Sequence, residues 1–191
     1  MKKVFRYNGK DSVTQLANTL KKVTGNNPVF FCIGSDKLVF DSLGPKVGTR
    51  LKERSNGSII VYGVEGETIN ALNVQKAYGA VRYAHPKSKI IAIDAALGND
   101  TGMIRINGGG VRPGSGVGKD LGVVGDESII CTFGESIPKT CKVLQLFIGL
   151  MENLNVLDSR YYEKLARYKR IEEFVDTAAD TIADAILLAS A

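Results

Sequence analysis

The sequence contains no tryptophan, a single histidine and only three cysteines among its 191 residues. His85 stands directly before Pro86, after a stretch with helical periodicity, so we interpret it as a helix-terminal residue. With one histidine, Ser-His or Cys-His catalysis would depend on that residue alone, and a histidine-based metal cluster lacks ligands. Cys32, Cys131 and Cys141 are odd in number and have no C-x-x-C spacing. This pattern disfavours a disulfide framework or a zinc site and favours buried thiols.

Long hydrophobic runs are also missing. The apolar stretches are short and interrupted by Gly, Asp or Lys, well below the roughly 18 to 20 residues that a membrane-spanning helix needs. The N-terminus, Met1-Lys2-Lys3-Val4, is charged and is not followed by the apolar segment typical of a secretory signal. Because 44% of the residues are hydrophobic and 24% are charged, we expect one compact domain over residues 1–191, located in the cytoplasm.

A concentrated basic patch is the third missing feature. The formal net charge is +5, but the lysines and arginines occur in small separate groups, such as residues 21–22, 50–54 and 164–170. We interpret these groups as solvated helix faces. Aromatic residues are not interleaved with them in the manner of single-strand binding proteins. The sequence therefore predicts neither a nucleic-acid partner nor a membrane partner.

Hydrophobic periodicity predicts that helices and strands alternate along the first half of the chain. Ser12 and Gln15 have the spacing of a capping box at the start of the first helix. The predicted helices are residues 12–24, 41–54 and 68–84, and the predicted strands are residues 29–33, 58–62 and 89–93. Three such alternations favour an α/β fold, a three-layer α/β/α sandwich with a mostly parallel central sheet.

The second half of the chain departs from this rhythm. Residues 103–106 alternate with period two, which predicts a strand near a sheet edge or in a hairpin, and residues 127–133 predict a further strand. Residues 138–154 and 159–188 have the character of helices, and the second is the longer.

Two aspartates are expected at the same edge of this sheet. Asp41 follows a buried strand through a short loop, and Asp94 is predicted to end the strand of residues 89–93. Ligands bind outside the carboxyl ends of strands in open parallel sheets, because loops and helix N-termini converge there. Two adjacent carboxylates cannot easily both ionise, so the pair can divide acid and base roles around a water molecule. The alternative for Asp41 is a helix cap.

A glycine-rich segment at residues 108–119 invites comparison with phosphate-binding loops. A Walker A motif needs glycine where Pro113 stands and Ser or Thr where Asp120 stands. A dinucleotide fingerprint starting at Gly114 needs glycine where Lys119 stands, and a hydrolase elbow around Ser115 lacks both of its glycines. Two interpretations stay open: a loop that closes over a substrate or the carboxylates, and a connection without a ligand.

Three segments, taken in order, resemble the germination protease family. They are Gly34-Ser35-Asp36 with Phe40-Asp41-Ser42-Leu43-Gly44-Pro45, then Ile91-Ala92-Ile93-Asp94-Ala95, and then Arg112-Pro113-Gly114-Ser115-Gly116-Val117-Gly118. The sequence is most similar to the shorter, YyaC-type sporulation proteins, over almost the whole chain. The resemblance implies the fold that germination protease shares with hydrogenase maturation peptidases, and catalysis by the aspartates that match Asp41 and Asp94.

The resemblance also implies a sporulation-associated peptidase, acting in the sporulating cell or spore on a protein or peptide substrate such as small spore proteins. We expect no cofactor, and a homo-oligomer is compatible with the sequence. The residues expected to contact substrate are those of the first and third segments nearest the aspartates: Gly34, Ser35, Asp36, Arg112, Gly114, Ser115 and Gly116.

One position departs from the family pattern. Arg112 stands where germination protease has a histidine, which argues against a metal ligand there. A guanidinium can instead lower the pKa of an aspartate or hold a substrate carboxylate. This departure and the shorter chain motivate one alternative, a non-catalytic sporulation regulator on the same scaffold. A separate alternative is a metal-assisted maturation peptidase.

Overall fold

The computed structural model describes residues 3–114, 121–134, 146, 148, 150–154 and 159–191. Within these residues six strands form one sheet. The strands are β1 (Lys3–Arg6), β2 (Val29–Cys32), β3 (Ile60–Tyr62), β4 (Ile90–Leu97), β5 (Met103–Gly108) and β6 (Glu127–Phe133). The helices are α1 (Ser12–Val23), α2 (Leu43–Arg54), α3 (Val74–Ala84) and α4 (Ser159–Ser190), and a 3-10 turn over Val39–Ser42 precedes α2. Residues 150–153 are also helical, as predicted; residues 138–145, 147 and 149 of the same predicted helix, 138–154, lie outside the described residues.

The sheet has the strand order β1-β5-β6-β4-β2-β3. The pairs β2-β3, β2-β4 and β4-β6 are parallel, whereas β5 pairs antiparallel with both β6 and β1. The predicted mixed α/β class with a mostly parallel sheet is therefore confirmed. The short N-terminal strand β1 was not predicted, because only Phe5 among its four residues is buried and the segment has no apolar run.

Helices cover both faces of the sheet. Residues of α1, α2 and α4 pack on one face around Phe30, Ile91 and Ile129. On the other face, Val74 and Val81 of α3 pack in a second apolar cluster that includes residues of β2 and β4. Central strands that are buried on both faces need continuous apolar runs, which is why β2 and β4 were predictable. No helix in the described ranges combines the length and the apolar character that crossing a membrane requires.

The start of α3 differs from the prediction. The helix begins at Val74 and not at residue 68, because residue 69 is in a β-bridge and residues 71–73 form a turn. Ile69 forms a parallel bridge with Ile33, and its carbonyl accepts a hydrogen bond of 2.8 Å from the Gly34 N–H. The Asn70 N–H then donates to the side chain of Asn73, the residue before the helix. Asparagine side chains that bond to nearby backbone stabilise turns at the expense of helix.

The capping box predicted at the start of α1 is wrong. Ser12 is already the first residue of the helix, and Asp11 occupies the N-cap position without a side-chain capping hydrogen bond. The predicted length of this helix is otherwise confirmed, since it ends at Val23.

A ladder of ion pairs joins α2 to α4. Lys46, Arg50 and Arg54 lie four residues apart on one face of α2, and Asp176, Asp180 and Asp184 have the same spacing on α4. Asp176 accepts from Lys46 and Arg50, Asp180 accepts from Arg50 and Arg54, and Asp184 accepts from Arg54, at 2.6 to 2.8 Å. The partners advance together along both helices, so the two helices run parallel. The prediction that residues 50–54 form a solvated face is therefore wrong for Arg50, whose side chain is 16% exposed, whereas Arg54 is exposed as predicted.

The cysteine prediction is confirmed where it can be assessed. Cys32 and Cys131 are free and fully buried, and burial raises the pKa of both thiols. Cys141 lies outside the described residues. His85 is the C-cap of α3, as predicted, and its Nε2 lies 2.9 Å from the Tyr62 hydroxyl.

Candidate active site at the end of strands β2 and β4

Asp41 lies in the 3-10 turn between β2 and α2. Val39 and Phe40 anchor this turn in the apolar cluster beneath α2 and α4. The turn contacts both β4 and α4. The N-cap of α2 is Ser42, whose hydroxyl donates to the Val39 carbonyl at 2.7 Å and does not cap the helix. Asp41 is therefore not the N-cap residue of α2, and its carboxyl group is left for another role.

Gly34 allows two segments of the site to approach closely. It follows β2 directly, and its backbone has a φ of +148°, which side chains rarely adopt. A Cβ atom at this position would lie 2.0 Å from the Asp41 carbonyl oxygen. The neighbouring Ser35 N–H donates to that same carbonyl at 3.0 Å. A side chain at position 34 would push Asp41 away from the end of β2.

Asp94 lies in β4 at the level where β2 has already ended. Cys32, the last residue of β2, pairs with Ile93, and the Ile33 N–H donates to the Ile93 carbonyl at 2.8 Å. The prediction that β4 ends at Asp94 is wrong. The strand continues to Leu97, because these last residues pair with β6 and end opposite Phe133. Asp94 nevertheless lies at the edge of the sheet where β2 ends, one residue beyond the pair formed by Cys32 and Ile93.

The two carboxyl groups influence each other electrostatically. Burial and, as a smaller contribution, the charge of Asp41 together raise the pKa of Asp94 to about 8, against a hydrogen bond from the Ala95 N–H at 2.8 Å. Burial also raises the pKa of Asp41 to about 6, against a hydrogen bond from the Ser35 backbone. Both residues keep part of their surface exposed, so solvent reaches them. The structure thus brings together the two aspartates that the sequence singled out.

Between pH 6 and pH 8 this pair holds one proton. Asp41 is then mostly ionised and can accept a proton, whereas Asp94 is mostly neutral and can donate one. Two carboxyl groups with separated pKa values can activate a water molecule and protonate a leaving group in the same site.

We expect the two groups to titrate at about pH 6 and about pH 8, and Asp41→Asn to lower the pKa of Asp94 because a neighbouring negative charge is removed. Carbon NMR of labelled aspartate side chains across pH 3 to 10 measures both effects. Asp11→Asn is the control, since Asp11 is an exposed residue at the start of α1 and should leave the pKa of Asp94 unchanged. An Asp94 that titrates near pH 4 in the folded protein would contradict the assignment.

Ser35 and Asp36, both predicted to contact substrate, have local structural contacts. The Ser35 hydroxyl accepts a hydrogen bond from the Lys37 N–H at 3.2 Å. The Asp36 carboxylate accepts one from the Gly66 N–H at 2.9 Å, in the turn that follows β3. These bonds fix the loop after β2, and the substrate-contact role stays a prediction.

The glycine-rich segment leaves the sheet on the face to which Asp94 belongs. Val111 forms an antiparallel bridge with Val124, and both residues pack in the cluster that contains Ile90 and Ala92. Arg112 is exposed, and Gly114 is half-buried with a φ of +78°. Ser115 and Gly116 lie outside the described residues. In the part of the chain that is described, no group of three or more His, Cys, Asp or Glu side chains is arranged to hold a metal ion.

The family model "Protein of unknown function (DUF1256)" matches residues 4–151. The chain belongs to this family. A curated relative is the uncharacterized protein YyaC of Bacillus subtilis (strain 168), which is 38% identical over 115 residues. That match covers 59% of this chain and 56% of YyaC, so the chain spans about half the length of this relative. No solved structure shows a significant match to the chain.

The YyaC part of the predicted resemblance is thus supported in this DUF1256 protein, whereas the relationship to germination protease stays a prediction. Asp41 and Asp94 both lie within the residues that the family model matches, and α4 lies beyond them.

One group of polar residues near Asp94 in the DUF1256 chain was not predicted. On the side of the sheet that faces α3, β6 and β5 carry Ser128, Thr132, Arg105 and Asn107 where apolar residues are usual. The sequence signal that could have identified this group is the alternation of apolar and polar residues along β5 and β6. In β5 and β6 the apolar residues Ile104, Ile106, Ile129, Cys131 and Phe133 point to the opposite face, so the residues between them share the face of Asp94.

Proposed function

We propose that this DUF1256 protein is a peptidase in which Asp41 and Asp94 activate water against a peptide carbonyl. The observation that carries the proposal is the carboxyl pair itself. The two groups come from different elements at one edge of the sheet, and their pKa values are raised to about 6 and about 8. A pair of ion-paired surface aspartates would have lowered pKa values, as Asp176 and Asp180 have in the ladder.

Each carboxyl group has a distinct part in the proposed reaction. The Asp41 carboxylate accepts a proton from water as the water oxygen attacks the carbonyl carbon. Asp94 donates its proton to the carbonyl oxygen, which stabilises the tetrahedral intermediate. The proton held by Asp41 then passes to the amide nitrogen, the C–N bond breaks, and the proton on the carbonyl oxygen returns to Asp94. One water is consumed, and the pair again holds one proton.

The substrate class follows from the predicted resemblance. A protein or peptide, such as a small spore protein in the cytoplasm of the sporulating cell or spore, is the proposed substrate. Gly34 supports the proposed site, because its lack of a side chain lets the turn that carries Asp41 approach the end of β2.

The proposal is tested by incubating the purified protein with a panel of spore proteins and unfolded model proteins, and by identifying new termini by mass spectrometry. We expect cleavage whose kcat/KM follows a bell-shaped pH profile with a maximum near pH 7, because activity requires ionised Asp41 and neutral Asp94. A metal chelator should leave the rate unchanged, which separates this mechanism from metal-assisted maturation. Absence of cleavage, together with retention of a protein partner, would reject the peptidase and favour the regulator.

A further inference from the structure

Asp94, Ile130 and Arg105 lie in one row across the sheet. Asp94 pairs with Ile130 of β6, and Ile130 pairs with Arg105 of β5. Side chains alternate between faces along each strand, and Ile130 packs in the same apolar cluster as Ala92, which shares its face with Asp94. The flanking residues of β5, Ile104 and Ile106, belong to the opposite cluster. Arg105 is therefore on the same face as Asp94, two strands away.

Polar residues surround this row. Asn107, Ser128 and Thr132 lie on the same face, as the alternation within β5 and β6 requires. The Ser128 hydroxyl is buried, and it has no hydrogen-bond partner among the described residues. A buried hydroxyl without a partner costs free energy, so polar groups here need a reason beyond packing.

The Arg105 guanidinium is held in place but not neutralised by a buried partner. It donates to the Thr132 hydroxyl and to the Asp100 carboxylate. Its side chain is 15% exposed, whereas that of Asp100 is 70% exposed. A carboxylate as exposed as Asp100 gains little from its ion pair, so a substrate carboxylate can replace it at the guanidinium.

The charge on this part of the face is positive. Arg6 of the edge strand β1 pairs with Met103 of β5, and it points to the same face because Phe5 points to the opposite cluster. Among the side chains that β1, β5 and β6 direct to this face, Arg105 and Arg6 are the charged ones. A negatively charged group is the ligand that these residues fit.

We infer that Arg105 selects substrates that carry a carboxylate side chain about three residues from the bond cleaved at Asp94. Neighbouring strands are about 4.8 Å apart, so Arg105 is about 10 Å from Asp94 across the sheet, and an extended peptide covers that span in about three residues. The inference rests on the proposed peptidase and assigns acidic peptides as its substrate class.

The test compares decapeptides that contain one Glu three residues from the cleaved bond, on either side, with counterparts that contain Gln. The wild-type protein should favour the Glu peptide on one side of the bond by roughly 10- to 100-fold in kcat/KM, the range expected for charged hydrogen bonds. Arg105→Gln should abolish this preference, so that the Glu and Gln peptides are cleaved with equal kcat/KM, and Arg105→Lys should retain part of it. Lys22→Gln, which removes an equal charge from exposed α1 on the opposite side of the sheet, should retain it in full.

A second measurement does not depend on cleavage. Fluorescence anisotropy reports the binding of labelled versions of the same peptides to Asp94→Asn, and Asp100→Asn added to that variant should tighten binding of the Glu peptide by freeing the guanidinium. Glu-dependent binding that disappears with Arg105→Gln supports the site even if the wild-type protein cleaves nothing, in which case the peptidase alone fails. Cleavage or binding that is equal for Glu and Gln peptides, or a preference that survives Arg105→Gln, would overturn the inference and leave the peptidase intact.

Discussion

Asp94→Asn should reduce kcat for peptide cleavage by about three orders of magnitude, with KM little changed. Asparagine has nearly the same shape as a protonated aspartic acid, so substrate binding is preserved, but it cannot donate the proton that the carbonyl oxygen needs. Asp41→Asn should cause a loss of similar size, because the base is then missing. Initial rates at pH 7 on a substrate found by the panel measure both effects.

Measuring the thermal stability of Asp94→Asn together with its activity distinguishes loss of the catalytic proton from loss of folding. The pKa of Asp94 is raised from 3.8 to about 8 in the folded protein, so the folded state binds more protons than the unfolded state between these values. Stability from this group is therefore full below about pH 4 and declines as the pH rises through 8. Asp94→Asn should unfold at a higher temperature than the wild-type protein at pH 9.

Asp11→Asn is the matched control for activity, since it removes an exposed carboxylate far along the chain from both aspartates and should keep the wild-type rate. Full activity in a folded Asp94→Asn protein would exclude the proposed mechanism.

Reversing the three aspartates of the ladder to lysine should lower the free energy of unfolding by about 3 to 5 kcal/mol at low salt. Five ion contacts are lost, each worth about 0.2 to 1 kcal/mol when exposed, and repulsion between two rows of cations adds a similar amount. α2 and α4 run parallel, so their helix dipoles also repel and the ladder offsets that repulsion. Urea unfolding at 20 mM and at 1 M NaCl measures the effect, which should be smaller at 1 M because salt screens surface charges.

Two companion proteins make this measurement specific. Adding Lys46→Asp, Arg50→Asp and Arg54→Asp to the reversed protein restores opposite charges and should recover most of the lost stability. The same change of net charge made at Glu53, Glu65 and Glu67, which are exposed, should cost much less. A triple reversal on α4 no more harmful than that control would show that the ladder does not stabilise the protein.

The sequence was sufficient to predict features that depend on one segment at a time. The runs that became β2 and β6 are apolar and rich in β-branched or aromatic residues, so their type and bounds were predictable. The start of α3 was predicted wrongly, because hydrophobic spacing before Val74 suited a helix while Asn70 and Asn73 favoured a turn. Asp94 was placed at a strand end because only the preceding residues are β-branched; partners on β6 extend the strand, and no local signal indicates them.

Features that join distant segments were harder to predict. The approach of Asp41 and Asp94 was predictable, because parallel strands bring their carboxyl ends to one edge. The ladder was not, since its partners are 126 to 130 residues apart and each basic residue alone resembles an ordinary surface charge. The position of Arg105 relative to Asp94 could not be predicted without the register of β4, β6 and β5, which determines which residues pair across these strands.

Helix α4 lies outside the residues that the family model matches, yet it completes the hydrophobic core. The DUF1256 match ends at residue 151, yet α4 places Val175, Ile182 and Ile186 against the sheet, where each is fully buried. A polypeptide truncated to the matched residues would expose the apolar surface of α1, α2 and the sheet to water, and it would tend to aggregate. The family match therefore includes both Asp41 and Asp94, but the smallest segment able to fold around them also includes α4.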